Sequence, residues 1–256
     1  MKRYISFFLI LILMILAGCT ADPEPTTQTV ELPEISTKPL DLPETTQPVT
    51  TQPVTTPPET TAPPPETTTS APVYYPNDIT HGFVYENVYI CGFLGLNYFL
   101  PEGQTFYTDA QLAESQGFTA ETITDEDVQR VFEQTGYFLD MQTYGDEGDP
   151  FVNLSYQDLN TFGPVSDAAD YFEKSKAPTI RTLEALGFTD VSFEVEDYEL
   201  GGVKCASAVI RAKSGETPIY ERMVGVIMDH YVAMLTASGP DESADALLQG
   251  FFWMQS

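Results

Sequence analysis

The feature that most constrains this chain is a break in composition near residue 76. Before it, residues 20–76 are built around the run ETTQPVTTQPVTTPPETTAPPPETTTSAP, in which Thr-Thr pairs recur about every five residues. Such a stretch has almost nothing to bury, so it cannot offset the entropy of ordering its backbone. Proline holds φ near the polyproline II value, which makes an extended tether the expected state. Its 57 residues would span roughly 175 Å fully extended and about 40 Å as a flexible coil. Only the remainder, about 180 residues from 77 to 256, has the composition of a folded domain. That length buries about 70% of its unfolded surface without disulfide support.

The N-terminus specifies an address. Lys2 and Arg3 precede an apolar run over residues 4–16, shorter than the roughly twenty residues a spanning helix needs. This is the layout of a secretory signal core. The run ends in Leu16-Ala17-Gly18-Cys19, which resembles the bacterial lipobox. The resemblance implies cleavage between Gly18 and Cys19 and acylation of the Cys19 sulfur, with multiple acyl chains giving a stable anchor. Residues 1–18 are thus expected to be a lipoprotein signal peptide, and 19–76 a lipidated N-terminus and tether. The expected location is the extracytoplasmic face of the cell membrane.

Eight of the 38 acidic residues and three of the 11 basic ones precede residue 78, leaving 30 against 8 and a domain charge of −22. A surface of that sign repels phosphate, so nucleic acid is not an expected partner. Along the domain, strand and helix signals alternate. Residues 83–91 and 94–100 read as strands flanking Gly92. Thr108 with Gln111 forms a capping box, and Thr124 opens a second helix with Val128, Val131 and Phe132 as its stripe. Residues 138–144 and 151–156 read as strands joined by an acidic turn. Ser166 is expected to cap a longer helix carrying Ala168, Phe172, Ile180, Leu183 and Leu186, kinked or split at Pro178 and ended by Gly187. Four strands follow over 191–198, 203–212, 218–228 and 231–237, of which 203–212 is apolar on both faces and expected to be central. Ala244, Leu247, Leu248, Phe251 and Phe252 fall at the spacing of a terminal helix.

The stretch Asn87-Val88-Tyr89 through Leu94-Gly95-Leu96-Asn97-Tyr98-Phe99-Leu100-Pro101-Glu102-Gly103 resembles the opening of PsbP-like and Mog1-like domains and of related Firmicutes surface lipoproteins. Gln104 stands where that family has tryptophan. The resemblance, together with the element order, implies an α+β fold for residues 77–256, an α/β/α sandwich with a mainly antiparallel sheet covered by helices. It does not fix an activity.

The motifs of catalysis are sparse. His81 lies at the tether boundary and His230 in a turn after Asp229, neither in zinc-ligand spacing. Cys91 and Cys205 fall in or beside strands, where they are either two buried thiols or, export permitting, a disulfide. Asp146, Glu147 and Asp149 lack the alternating spacing of a calcium loop and read as a solvated turn. Tyr74, Tyr75, Tyr85, Tyr89, Tyr98 and Tyr107 cluster near the domain start, for strand packing or for a sugar or peptide groove. No catalytic residue, metal ligand or cofactor is assigned. The expected function is a non-catalytic binding or assembly module whose partner is an envelope protein or wall component. The alternative is a wall or carbohydrate hydrolase working through a carboxylate pair.

Overall fold

The computed structural model describes residues 79–254 except 147 and 161; the signal peptide and tether readings lie outside these residues. The described part is mostly β, with 44% strand and 25% helix. Two antiparallel sheets form, one of four strands and one of seven. This corrects the expected α/β/α sandwich: the layer facing one side of the large sheet is a second sheet, not a layer of helices.

The small sheet has the order β1 (Phe83–Tyr85), β2 (Val88–Cys91), β3 (Leu96–Phe99) and β11 (Phe251–Trp253). The expected single strand over 83–91 is in fact a tight hairpin, turned by Glu86 at φ 55. The terminal helix is also corrected. A turn of 3-10 helix (Glu242–Ala244) and one turn of α4 (Asp245–Leu248) come first, and Phe251 then enters a strand beside β3. Gly250 permits this close approach, because a Cβ there would lie 2.7 Å from the Phe99 carbonyl oxygen and 2.6 Å from the Tyr98 ring.

The large sheet has the order β4 (Thr105–Phe106), β5 (Tyr137–Tyr144), β6 (Phe151–Asp158), β10 (Tyr231–Gly239), β9 (Thr217–Met228), β8 (Val203–Ser214) and β7 (Thr189–Leu200). The expected central strand, β8, is next to the edge. The edge strand β7 carries Glu194, Glu196, Asp197 and Glu199, charges that discourage pairing with another chain.

Alternation along the strands assigns the two faces of the large sheet. Val152, Leu154, Tyr156, Ala233 and Leu235 point toward the small sheet, whose inner face is Tyr89, Cys91, Leu96, Tyr98 and Phe251, all buried. Phe93 stacks edge-on against Tyr156 and Tyr231 across this interface. Helices α1 (Asp109–Ser115) and α2 (Asp125–Thr135) start at Thr108 and Thr124, each in a formed capping box, and Phe132 of α2 meets Tyr231 on the same side.

Helix α3 (Ala168–Ala185) lies on the opposite face, over β7, β8 and β9. Its cap is Asp167, not Ser166, since the Asp167 carboxylate accepts from the Asp170 amide. Pro178 neither splits nor ends it. Proline leaves one carbonyl of the preceding turn without an amide donor, but tertiary burial of Phe172, Thr179 and Leu183 holds the helix together. The helix ends just before Gly187, which adopts φ 90.

Candidate functional site

Gly18 and Cys19, like Tyr74 and Tyr75, lie outside the described residues. Cys91 and Cys205 are both free thiols, the first buried on β2 and the second half-buried on β8, so no disulfide joins them. His230 sits in the β9–β10 turn with its ring against Tyr231. Asp146 and Asp149 close a turn through the Asp146 amide. Tyr89 and Tyr98 are core residues and Tyr85 is exposed.

Three-dimensional pairing brings His81 into a polar cluster that its sequence neighbours do not announce. The β5–β6 register shifts between Leu139 and Met141, so Asp140 is the extra residue of a β-bulge. A bulge re-aims a side chain, and here it sends a carboxylate into the core between the sheets. Asp140 is fully buried. It accepts from the Gly82 amide at 3.0 Å, from Tyr156 at 3.2 Å and from the Tyr89 hydroxyl, and lies 2.6 Å from His81 Nδ1. His81 Nε2 lies 3.4 Å from Asp109. Gly82 is required, because a Cβ there would sit 2.2 Å from the Tyr89 hydroxyl.

The electrostatics make this cluster a clamp. Burial works to lower the His81 pKa, but hydrogen bonds and charge from Asp140 and then Asp109 outweigh it and raise the pKa above its ordinary value. Both ring nitrogens face carboxylates, so neither is free to serve as a base. Burial, with the Asp140 charge, pushes the Cys91 thiol up to about 12, which keeps it protonated and unreactive. Tyr89 and Tyr156 are held well above their usual range by burial and by Asp140 and Cys91. Together with the buried Ile79 and a bond from Gln129 to the Ile79 carbonyl, the cluster fastens residues 79–82 to the domain.

The second buried carboxyl is Glu221 on β9, 5% exposed. Its register partner Ser238 shares the α3 side of the large sheet, whereas Asp140 points to the small sheet. The two acids therefore lie on opposite faces and cannot flank one glycosidic bond.

The small sheet turns a different surface outward. Phe83, Ile90, Asn97 and Phe252 form one cross-strand row on its outer face, and Tyr85, Val88 and Phe99 form a second. Phe83, Tyr85, Phe99 and Phe252 are 56, 63, 50 and 43% exposed. At about 4.8 Å per strand the rows run about 14 and 10 Å across the sheet. Single exposed rings are ordinary, whereas four on one continuous face make an apolar patch that is unusual for a solvent-facing sheet. Between Lys38 and Arg130 the sequence has no Lys or Arg, while Glu86 and Glu102 adjoin the face. The neighbourhood is apolar and acidic. The sequence had grouped tyrosines here, but strand register was needed to separate Tyr85 from Tyr89 and Tyr98 and to add Phe83, Phe99 and Phe252.

No known family model matches this chain, and no curated protein matches it.

Proposed function

We propose that this chain is a lipid-anchored module on the outer side of the cell membrane, tethered through Cys19, which docks a protein of the cell envelope on the outer face of its small sheet. The observation that carries the reading is the aromatic face of Phe83, Tyr85, Phe99 and Phe252. Large rings supply much contact area at low entropic cost, which is why they dominate interfaces. The acidic surroundings favour a partner that presents Lys or Arg among apolar groups. Such a partner gains cation–π contacts with the rings and long-range attraction to the domain. The 57-residue stretch before the domain gives the reach to search for it.

The test places a photo-crosslinker at Tyr85 in the full-length protein on intact cells. The expected result is an adduct to a basic, apolar segment of one envelope protein. It should weaken as salt rises from about 50 to 500 mM and disappear in the Phe83→Ser, Phe99→Ser double variant. An adduct to glycan, or one indifferent to the double variant, would overturn the reading.

A further inference from the structure

The small sheet ends in an open edge at β1. The Asn87 carbonyl, in the β1–β2 turn, accepts from the Leu100 amide, so by alternation Tyr89 and Cys91 also turn their backbone groups to β3. The intervening Val88 and Ile90 then bond β1, where their partners are Tyr85 and Phe83. Val84 lies between those two, so its own amide and carbonyl point away from β2. Among the described residues no strand pairs with β1 on that side. The Val84 side chain points inward beside Tyr89, but it is 46% exposed where Tyr89 is 2%. The inner side of β1 is therefore open to solvent, as the outer side is at Phe83 and Tyr85.

The other sheet edges are protected in the usual ways. Gly201 of the β7–β8 turn crowds β11, and Trp253 Nε1 donates to the Leu200 carbonyl at 2.9 Å. β4 has only two residues, and β7 is lined with carboxylates. By contrast β1 reads Phe83-Val84-Tyr85, with no charge and all three residues exposed.

Resting on the docking role assigned above to this sheet, we propose that β1 receives an extended segment of the partner protein as an added strand, antiparallel to β1, whose basic residues follow its apolar ones. Such a strand completes the Val84 hydrogen bonds. Its alternate side chains extend the aromatic rows on the outer face and cover Val84 on the inner one. Its direction follows the existing pairs of the sheet, all antiparallel. Its charge follows from what lies upstream of β1. Thr80 is four residues before Val84, hence within about 14 Å of it. It borders a cleft of about 440 Å³ lined also by Asp125, Glu126, Gln129 and Glu133. Arg130 lines this cleft too, but its guanidinium bonds Asp127 and stands over the Phe118 ring. An antiparallel segment brings its C-terminal end to the cleft, where Lys or Arg meets the carboxylates. A second copy of this chain would bring acidic surface against acidic surface.

The experiment follows amide exchange by NMR in the full-length protein in detergent micelles. The probe is a synthetic peptide of alternating valine and threonine with a run of lysines at its C-terminal end. It should slow exchange at Val84 at least about tenfold, and more than at Phe83 or Tyr85, which already bond β2. The same peptide with its lysines first should bind about fivefold more weakly, and Glu126→Gln with Glu133→Gln should remove that difference. Val84→Pro should abolish binding and leave the β1–β2 hairpin in place, because proline is tolerated where an edge amide faces solvent. The proposal is overturned if the peptide leaves Val84 exchange unchanged, if Val84→Pro binds it as well as the unaltered protein, or if the order of the lysines makes no difference. Val84 already protected in the protein alone would assign the edge to another segment or copy of this chain and overturn it equally. A Tyr85 crosslink to the envelope partner that survives Val84→Pro would remove the added strand and keep the docking face, whereas loss of the crosslink in the unaltered protein would remove the face itself.

Discussion

Replacing Glu221 by glutamine should stabilise the domain, by an amount that depends on pH in a defined way. The carboxyl has an ordinary value of 4.5 and is raised by burial to about 8 in the folded protein. A raised acid keeps its proton in the native state while the unfolded chain has already released it. Stability is then greatest below pH 4.5, falls between 4.5 and 8, and is flat above. At about 1.36 kcal/mol per pH unit, the full span costs about 5 kcal/mol, of which about 3 is lost by pH 7. That is a large share of the roughly 5–15 kcal/mol that holds a domain together. Glutamine has the same shape and no charge to bury, so it removes the slope. Urea unfolding of both proteins, followed by far-ultraviolet circular dichroism, should show equal stability near pH 4. Near pH 7.5 the variant should lead by about 3–4 kcal/mol, or roughly 10 °C in Tm. Tyr137 is the titratable neighbour of Glu221 and is itself raised above 10 by burial, outside the window. His81, whose pKa is raised above its ordinary value by Asp140 and Asp109, lies on the other face, so its contribution cancels in the difference between the two proteins. A variant that is less stable at pH 7.5, or whose gain is the same at every pH, would refute the reasoning and imply that Glu221 is charged and paired.

Three further outcomes are expected. Cys19→Ser should abolish fatty-acid incorporation and leave an unprocessed or released protein, read by metabolic labelling and fractionation; undiminished labelling would remove the anchor. His81→Gln should cost about 2 kcal/mol where the imidazole is charged. Because the folded pKa is raised, that contribution is complete below the unfolded value near 6.5 and is lost as pH rises through the folded one, so a urea-unfolding deficit that grows with pH would contradict the clamp. Phe251→Ala should lose about 3–5 kcal/mol, whereas Phe252→Ala, at 43% exposed, should lose under about 1 in the same assay; similar losses would mean that the two rings do not face opposite sides of a strand.

That last pair marks where the sequence stops being legible. Ala244, Leu247, Leu248, Phe251 and Phe252 satisfy helical spacing, and over nine residues nothing in the pattern separates a full helix from one turn followed by a strand. The distinction comes from β3, 153 residues earlier, which offers Phe251 a partner at Tyr98. Local signals fared better where the physics is local. Thr108 and Thr124 cap helices because the hydroxyl and the residue three positions on are enough to satisfy the first amides. The meander over β7–β10 was visible because its turns are short. The sheet partition was not, because which strands pair is a long-range choice. Asp140 was hidden for the same reason: within Phe138-Leu139-Asp140-Met141 it looks like one polar residue in an apolar strand, and only the bulge against β6 reveals where it points.

The outer face of the small sheet and the polar interior of the large one are connected by an inversion. On the outer face of the small sheet, Phe83, Tyr85, Phe99 and Phe252 are placed in solvent; on the α3 side of the large sheet, Gln142, Asn153, Gln157 and Thr236 are placed away from it. Both arrangements oppose folding, the first by exposing apolar area and the second by burying polar groups without partners. Either could be relieved by exchanging residue types between the faces, with no change to the alternation that sets strand register. A sequence selected for stability alone would make that exchange. That the small sheet keeps its rings in solvent, in a domain whose caps and core otherwise obey local rules, is the reason to propose recognition on that face. The inversion also explains why sequence alone assigned neither. Alternation shows that a strand has two faces, but which face meets water depends on the sheet that packs against it.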